Sequence, residues 1–590
     1  MAGRYLSGIR SVRNRLTDPA FLAAAAAPAA AAGLTLFFVV PTLAPSVASW
    51  DTAEFQTVGP VLGTAHPTGY PSYVILGWLA SIVLQPFGDP AYRMNLLQAI
   101  LAAAAVAATA GLVQFLTGRR LIALAAGLSL ACCQLFWRLS THADPHMFHI
   151  ALTAVLFVVL LIWDRRRQSE DPDTVRHADR WLVAAAFIYG VAVANHSLAL
   201  LLPPAIALFV LLADWRVVLR WRTMAACIAV LTGTIVVLFL ELPIRAAMHA
   251  PLVYGHPDTL SGLQYVVLAE QFRGSLYDPF GDLPTKAAHV MDLITGWLGP
   301  LGILSAVGLG TSLVRRPHYV VLSGVAAVVT CGFAASYANA DIERYYLLPL
   351  LVALTWAAMG AADLVALAGW AAAEVWVRVG GAVPESDEEP DPEPVDSAES
   401  STSQPAVATD SIGGTRRGGE IWAGSTALAG QAALIAEVAV AVAITFSSVG
   451  VVPERQRPGG NAAGAVSEAQ NTRDAVWMRA VLAPADQGGL PKGSVIVSWW
   501  SASTTLWYGQ RVLGLRPDIY IVDDRTRLDD DLGEVQDVFN KFLGNRPLFT
   551  IRMDGGIDGM VALGAEYDMR SYPLRNGNSI MQVIDRKGSQ

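Results

Sequence analysis

The chain predicts a polytopic α-helical membrane protein with a soluble α/β domain at its C-terminal end. Apolar runs long enough to cross a bilayer recur through the first three quarters of its 590 residues. Arginine clusters punctuate those runs. From residue 449 onward the pattern changes to short β-branched and aromatic stretches alternating with helical ones.

Composition agrees. Apolar residues make up 53% of the chain and charged residues only 15%. The net charge of −8 is largely local, because much of the acid falls in PESDEEPDPEPVDSAES. There is no overall basic excess, which argues against a nucleic-acid partner. Cys132, Cys133, Cys227 and Cys331 lie in apolar stretches without zinc-ligand spacing. Neither a disulfide framework nor thiol chemistry is expected.

The N-terminal MAGRYLSGIRSVRNRL is basic and leads into FLAAAAAPAAAAGLTLFFVV. That run exceeds the ~7–15 residues of a signal-peptide core. It is expected to stay as the first span, with its basic end in the cytoplasm; a signal cleaved near SVAS is the alternative. Lys and Arg concentrate in cytoplasmic loops. This puts Arg4/Arg10/Arg13/Arg15, Arg119/Arg120, Arg165/Arg166/Arg167, Arg216/Arg220/Arg222, Arg315/Arg316 and Arg416/Arg417 on one side. They share it when spans run near 20–44, 92–116, 121–139, 148–163, 181–197, 199–213, 224–246, 296–314, 318–336, 345–373 and 421–447. YPSYVILGWLASIVLQPFG, residues 70–88, must then stay at the interface or re-enter, because a crossing would strand the triple arginine outside. The result is about eleven spans in the plasma membrane, N-terminus cytoplasmic and C-terminal domain extracytoplasmic.

Four units follow. Residues 1–380 form a transmembrane module and 381–418 an acidic cytoplasmic linker too poor in apolar residues to fold. Residues 419–448 form the last transmembrane helix and 449–590 an exported α/β domain. Within that domain SVIVSWW, RPDIYIVDD and RPLFTIR read as strands, with TTLWYGQRVLGL and DLGEVQDVFNKFL as helices.

This topology gathers polar residues on the outer side. The first loop carries Asp51, Glu54 and His66, with Arg93 opening the next span. THADPHMFH brings His142, Asp144, His146 and His149, and a later turn brings Asn195 and His196. Tyr254, His256, Asp258, Glu270 and Arg273 share a longer loop; ANADIERYYLLP adds Asp341, Glu343, Arg344 and Tyr345. Ionisable groups at span ends are costly against lipid, so a shared wet cavity accounts for them economically. Each also has a plainer reading. Asp51 alone suits an interfacial cap, HPTGYP a stiff turn, and ERYY an interfacial anchor. HADPH has metal-ligand residue types at a spacing that matches no standard site, so structural hydrogen bonding is preferred there.

Together, DTAEF…HPTGYP, AYRMNL, ANHSLALLLPP and IERYYLLP resemble the motifs of a membrane-protein family long known only as a domain of unknown function. That family is grouped with the GT-C glycosyltransferases and includes an animal protein O-mannosyltransferase. SWWSASTTLWYGQRVLGLRPDIYIVDD resembles the soluble part of bacterial members. The resemblance implies a GT-C-like fold and transfer of a sugar, mannose in the animal relative, from a polyprenyl-phosphate donor. The acceptor would be a hydroxyl of an exported protein or envelope glycan, and membrane lipids the surrounding partner. It implies Asp51 as general base, able to take a proton at neutral pH, with Glu54 orienting the acceptor or substituting. The lipid-phosphate leaving group needs preorganised donors. Arg344 is the first choice as a bidentate grip, followed by His66, Arg93 and His196. Asp144, His146, Tyr345 and Asn195 would line the sugar or acceptor pocket. No cofactor beyond the donor substrate is implied, and a divalent metal is an option that no ligand pattern indicates. A transporter or flippase of lipid-linked saccharides is the alternative, although no internal repeat is visible and the acids cluster away from mid-bilayer. A non-catalytic assembly protein is a third reading. Core packing is expected for Trp499 or Trp500, a strand-end turn for Asp523/Asp524, and acceptor recognition for the exported domain.

Overall fold

A computed structural model describes residues 18–278, 280–378, 413–459, 464–551 and 557–588. Among these, seven helices are long and apolar enough to cross a membrane: Leu22–Thr42, Pro90–Thr117, His146–Arg167, Trp221–Ala247, Pro317–Ala334, Ile342–Arg378 and Thr426–Arg455. Two bent pairs bring the number to nine if each is one span. Arg120–Cys132 turns by 68° into Gln134–Ser140, and Leu283–Leu298 by 113° into Leu301–Arg315. The two remaining expected spans are the shorter helices Asp179–Asn195 and Pro203–Asp214, of 17 and 12 residues. A straight crossing takes about 20 residues, so the eleven apolar segments are all helical but not all membrane-length. Pro71–Val83, in the stretch expected not to cross, has 13 residues and is likewise too short to span.

Local sequence explains the boundaries. Asp89 caps Pro90–Thr117 by accepting from the Tyr92 amide at 2.8 Å, and Gly118 ends it with φ +72. Leu301–Arg315 and Leu347–Arg378 cross at Gly308 and Gly360. A Cβ on Gly308 would lie 1.8 Å from the Trp356 carbonyl oxygen, so only glycine admits this approach.

A buried knot of neutral amides joins the first two loops. Gln56 Nε2 donates to Asn95 Oδ1 at 2.8 Å, Asn95 Nδ2 donates to the Ala44 carbonyl at 2.8 Å, and the Ala143 amide donates to Asn95 Oδ1 at 3.0 Å. The Ala48 amide completes it, donating to Gln56 Oε1 at 3.0 Å. Helix Trp50–Val61 and the turn before His146 are thereby fixed to one another.

The C-terminal domain contains a five-stranded sheet of order β2-β1-β3-β5-β4. Its strands are β1 Val495–Val497, β2 Tyr520–Val522, β3 Leu548–Thr550, β4 Tyr567–Pro573 and β5 Ser579–Arg586. β1 pairs in parallel with β2 and β3, while β5 runs antiparallel to both β3 and β4. The three expected strands are present but shorter than their sequence stretches; β4 and β5 are additions. SVIVSWW leaves the sheet after Val497, because Trp500 opens the helix Trp500–Trp507. Asp523 does end a strand as a turn: it caps Asp524–Asp529, accepting from the Thr526 amide at 2.9 Å.

The domain packs on the membrane module through Trp500–Trp507 and Trp50–Val61. Thr505 Oγ1 donates to the Ala48 carbonyl at 2.9 Å, and the Ala91 amide donates to the Tyr508 hydroxyl at 3.1 Å. The basic N-terminal cluster through Arg15, and the linker expected over 381–418 as far as residue 412, lie outside the described residues. Its last residues, from 413, already belong to the helix Gly413–Val449.

Candidate active site

Asp51 stands in the first turn of Trp50–Val61, where the unpaired amides of the helix end favour a carboxylate. Arg344 belongs to the single 3-10 turn Ile342–Tyr346 that feeds the long helix Leu347–Arg378. Its guanidinium bridges two acids: Nη2 donates to Asp51 Oδ2 at 3.1 Å and Nη1 to Asp144 Oδ2 at 3.4 Å. Arg344 Nε is buried and has no hydrogen-bond partner among the described residues. The other oxygen of Asp51 accepts from Trp500 Nε1 at 2.9 Å.

Asp144 also accepts from the backbone amide of His146 at 2.7 Å and from its Nδ1 at 2.6 Å. That leaves His146 Nε2 buried without a partner among the described residues. His196 packs beside it with ring centroids 4.6 Å apart, and Tyr345 at 5.5 Å. Burial opposes ionisation of both acids. For Asp51 the charges of His66 and Arg344, with hydrogen bonds from Trp500 and Arg344, outweigh burial and hold the carboxyl below its usual range. For Asp144 the His146 and Arg344 charges, with the His146 hydrogen bonds, do so more strongly.

These groups line a cavity of about 930 Å³. Asp51, His66, Asp144, His146, His196, Arg344 and Tyr345 all line it, as do His142, Tyr254, Arg273 and Asp341. The lining also carries apolar side chains, among them Leu198, Leu200, Leu201, Leu268, Phe272 and Leu276. His256, Asp258, Glu270 and Glu343 are not in the lining; Glu270 pairs with Arg273, and Glu343 with Arg138.

Three expected site residues stand elsewhere. Glu54 is 1% exposed and is not in the cavity lining. Its carboxylate takes the His66 Nδ1–H and, at 2.7 Å, the His66 backbone amide. It follows Asp51 by three residues on the same helix but is buried against His66, outside the lining. His66 Nε2 meets the Tyr70 hydroxyl at 3.1 Å. Burial disfavours the cationic ring, but the Glu54 carboxylate outweighs this and raises the His66 pKa. Arg93 is outside the cavity: its guanidinium ties the Ser81 and Gly88 carbonyls at 3.3 and 3.1 Å, holding the turn after Pro71–Val83. Asn195 lies behind the lining, donating to the Pro145 carbonyl at 3.2 Å.

Trp500 was not expected here. It belongs to the C-terminal domain, packs against the hydrophobic core as its SWW context suggests, and also lines the cavity and reaches Asp51 across 449 residues of sequence. No three His, Cys, Asp or Glu groups among the described residues are arranged to hold a metal ion.

Membrane-length helices, a sheet-bearing C-terminal domain and a cavity lined by the membrane module and Trp500 define a polytopic α-helical membrane protein. The chain matches two crystal structures of ArnT from Cupriavidus metallidurans, one bound to undecaprenyl phosphate and one apo. TM-scores are 0.55 and 0.56 at 15% and 14% identity, and each match covers 94% of this chain and 97% of the other. More particularly, residues 51–219 match the family described as the Protein O-mannosyl-transferase TMEM260 N-terminal domain. The mouse (Mus musculus) Protein O-mannosyl-transferase TMEM260 is 28% identical over 160 residues, which is 27% of this chain and 22% of that protein. The resemblance carried by DTAEF…HPTGYP, AYRMNL and ANHSLALLLPP falls within the matched segment; IERYYLLP lies beyond it.

Proposed function

We propose that this protein is an inverting glycosyltransferase. It takes a sugar, with mannose the first choice, from a polyprenyl-phosphate donor and places it on a hydroxyl of an exported protein or envelope glycan. The observation that carries the reading is the 3.1 Å approach of Asp51 and Arg344 in a cavity lined by both ionisable and apolar side chains. The undecaprenyl phosphate in a structure of the same fold and the mannosyltransferase name of the matched relative support it.

In the reaction, the acceptor oxygen attacks the anomeric carbon while its proton passes to Asp51. The carbon–oxygen bond to the lipid phosphate breaks on the opposite side, which inverts the configuration. Charge grows on the departing phosphate, and Arg344 meets it with a planar fork of donors. Asp51 is ionised well below neutrality and so is always ready to accept. Asp144 holds Arg344 from behind and orients His146, whose free Nε2 is available to a sugar hydroxyl. The apolar side chains of the lining would lie along the first isoprene units.

The accompanying topology is a multi-pass plasma-membrane protein with its N-terminus in the cytoplasm. Residues 1–380 and the helix at 419–448 make the catalytic module, 381–418 the cytoplasmic linker, and 449–590 the extracytoplasmic domain. The test uses detergent-purified full-length protein, a polyprenyl-phosphate sugar and an acceptor, with no second compartment. Release of polyprenyl phosphate with appearance of the glycoside is expected, and Asp51→Asn should abolish it while the protein still folds. Movement of intact lipid-linked sugar across vesicles without transfer would favour a flippase and overturn the reading. A chelator in the same assay decides metal dependence.

A further inference from the structure

The contact between Asp51 and the C-terminal domain has a chemical consequence. Arg344 divides its guanidinium between Asp51 and Asp144. A donor phosphate brings a further negative charge to the same guanidinium, and turning its fork of N–H donors, the unpartnered Nε among them, toward that phosphate loosens the hold of Arg344 on Asp51. A base that has lost its cation is left to reorient just as the acceptor arrives, and misplacement of a reacting group by about 1 Å costs as much as a hundredfold in rate. One other side chain holds the carboxylate in the described residues, and it is Trp500.

We propose that Trp500 is a positioning residue of the transfer site, its indole N–H holding the Asp51 carboxylate in register when Arg344 turns to the donor phosphate. The C-terminal domain is then part of the catalytic site as well as a candidate reader of the acceptor. This rests on the glycosyltransferase reading.

The indole is suited to the task. Its single N–H donates and cannot accept, so it cannot compete with Asp51 for the acceptor proton. The ring is confined by edge contacts with His66, Tyr254 and Trp507 at centroid distances of 5.9, 6.2 and 5.9 Å. Arg525 closes that group from outside, over the rings of Tyr254 at 5.3 Å and Trp507 at 4.6 Å. Helix Trp500–Trp507 is anchored to the first loop by Thr505 on the Ala48 carbonyl. A carboxylate offers about four lone-pair sites. With Trp500 on Oδ1 and Arg344 on Oδ2, the remaining ones can receive the acceptor hydroxyl.

The test compares full-length wild type with Trp500→Phe and with benzothienylalanine at the same position, which keeps the shape of the indole and lacks the N–H. Both should lower kcat by about tenfold to a hundredfold, the scale of a hydrogen bond to a charged group, while KM for the lipid donor stays near wild type. The acid limb of kcat/KM against pH should move upward, because losing a donor to the ionised form makes Asp51 easier to protonate. The other titratable or charged groups around Asp51 are Arg344, Asp144, Tyr345, Tyr70 and the Glu54–His66 pair; none is altered in either variant. Thr505→Val removes a domain contact without touching Asp51 and should leave the acid limb in place. Wild-type kcat and an unmoved limb in the isosteric variant would overturn the proposal, as would a Thr505→Val shift equal to that of Trp500→Phe. If Asp51→Asn is inactive in the same assay, the transfer reading survives that failure; if Asp51→Asn is fully active, the transfer reading itself fails.

Discussion

Two carboxylates three residues apart on one helix divide the work between the cavity rim and the packed interior. Asp51 sits where helix Trp50–Val61 meets the cavity, held by a cation and an indole that belong to distant parts of the chain. Glu54, one turn deeper, is spent on a single histidine of its own loop through two hydrogen bonds. Chemical type is the same in both. Exposure and the origin of the partners separate them: the long-range partners of Asp51 can be exchanged for substrate, whereas the local partner of Glu54 cannot leave without opening the core.

The largest expected effect is that of Asp51→Asn, which keeps shape and removes the proton acceptor. Turnover should fall by about a hundredfold to ten-thousandfold with thermal stability near wild type, measured by product formation and by melting. Arg344→Gln should follow, with about a hundredfold to thousandfold lower kcat for loss of charge stabilisation and weaker donor binding, read from initial rates against donor concentration. Equal activity in either variant would erase the distinction between rim and interior.

Glu54→Gln should act the other way round. It leaves a partner for the His66 amide but weakens the ring contact, so a stability loss of about 1–3 kcal/mol is expected in denaturation, with a smaller loss of turnover than for Asp51→Asn. The smallest effects are in pH dependence. His66 has its folded pKa raised by Glu54, so the stability this pair contributes is fully present below about pH 6.5, its unfolded value. It is lost as pH rises through the folded value. Glu54→Gln should remove that slope from melting temperature against pH. Asp51, with its pKa lowered, contributes in the opposite sense. Its share is present above the ordinary aspartate value of about 3.9 and lost as pH falls through the lowered one, and the acid limb of wild-type kcat/KM should lie below that ordinary value.

Much of the fold was legible in the sequence because lipid is an exacting solvent. Apolar runs and arginine clusters located all eleven helical segments, and residues 70–88, withheld from the spans, hold the 13-residue helix Pro71–Val83. Helix bounds were legible to within a few residues even for the short ones: Asp179–Asn195 was expected over 181–197, and Pro203–Asp214 over 199–213, where Pro203 and Pro204 delay the start. β4 and β5 escaped notice because the polar, mostly exposed side of EYDMRSYP and SIMQVIDR hides their strand pattern. In the site, the convergence of Asp51, Asp144, His146 and Arg344 followed from collecting outer-loop polar residues and from family resemblance. Glu54 stands outside the lining because spacing gives angle around a helix but not depth in the packing, and Arg93 and Asn195 because position at a span end does not say that a side chain is taken up by nearby backbone carbonyls. Trp500 had a visible signal, two adjacent tryptophans after a strand, but no local pattern states that a residue will meet one 449 positions earlier.

The amide knot formed by Gln56 and Asn95 carries a consequence of its own. Every member is uncharged, and each finds its partner inside the protein. Neither ionic strength nor acidity changes the protonation of such groups or screens them appreciably, so the spacing between the loops bearing Asp51 and Asp144 is set independently of the medium. Salt and acid can tune how these two carboxylates behave, while the frame that presents them keeps its dimensions.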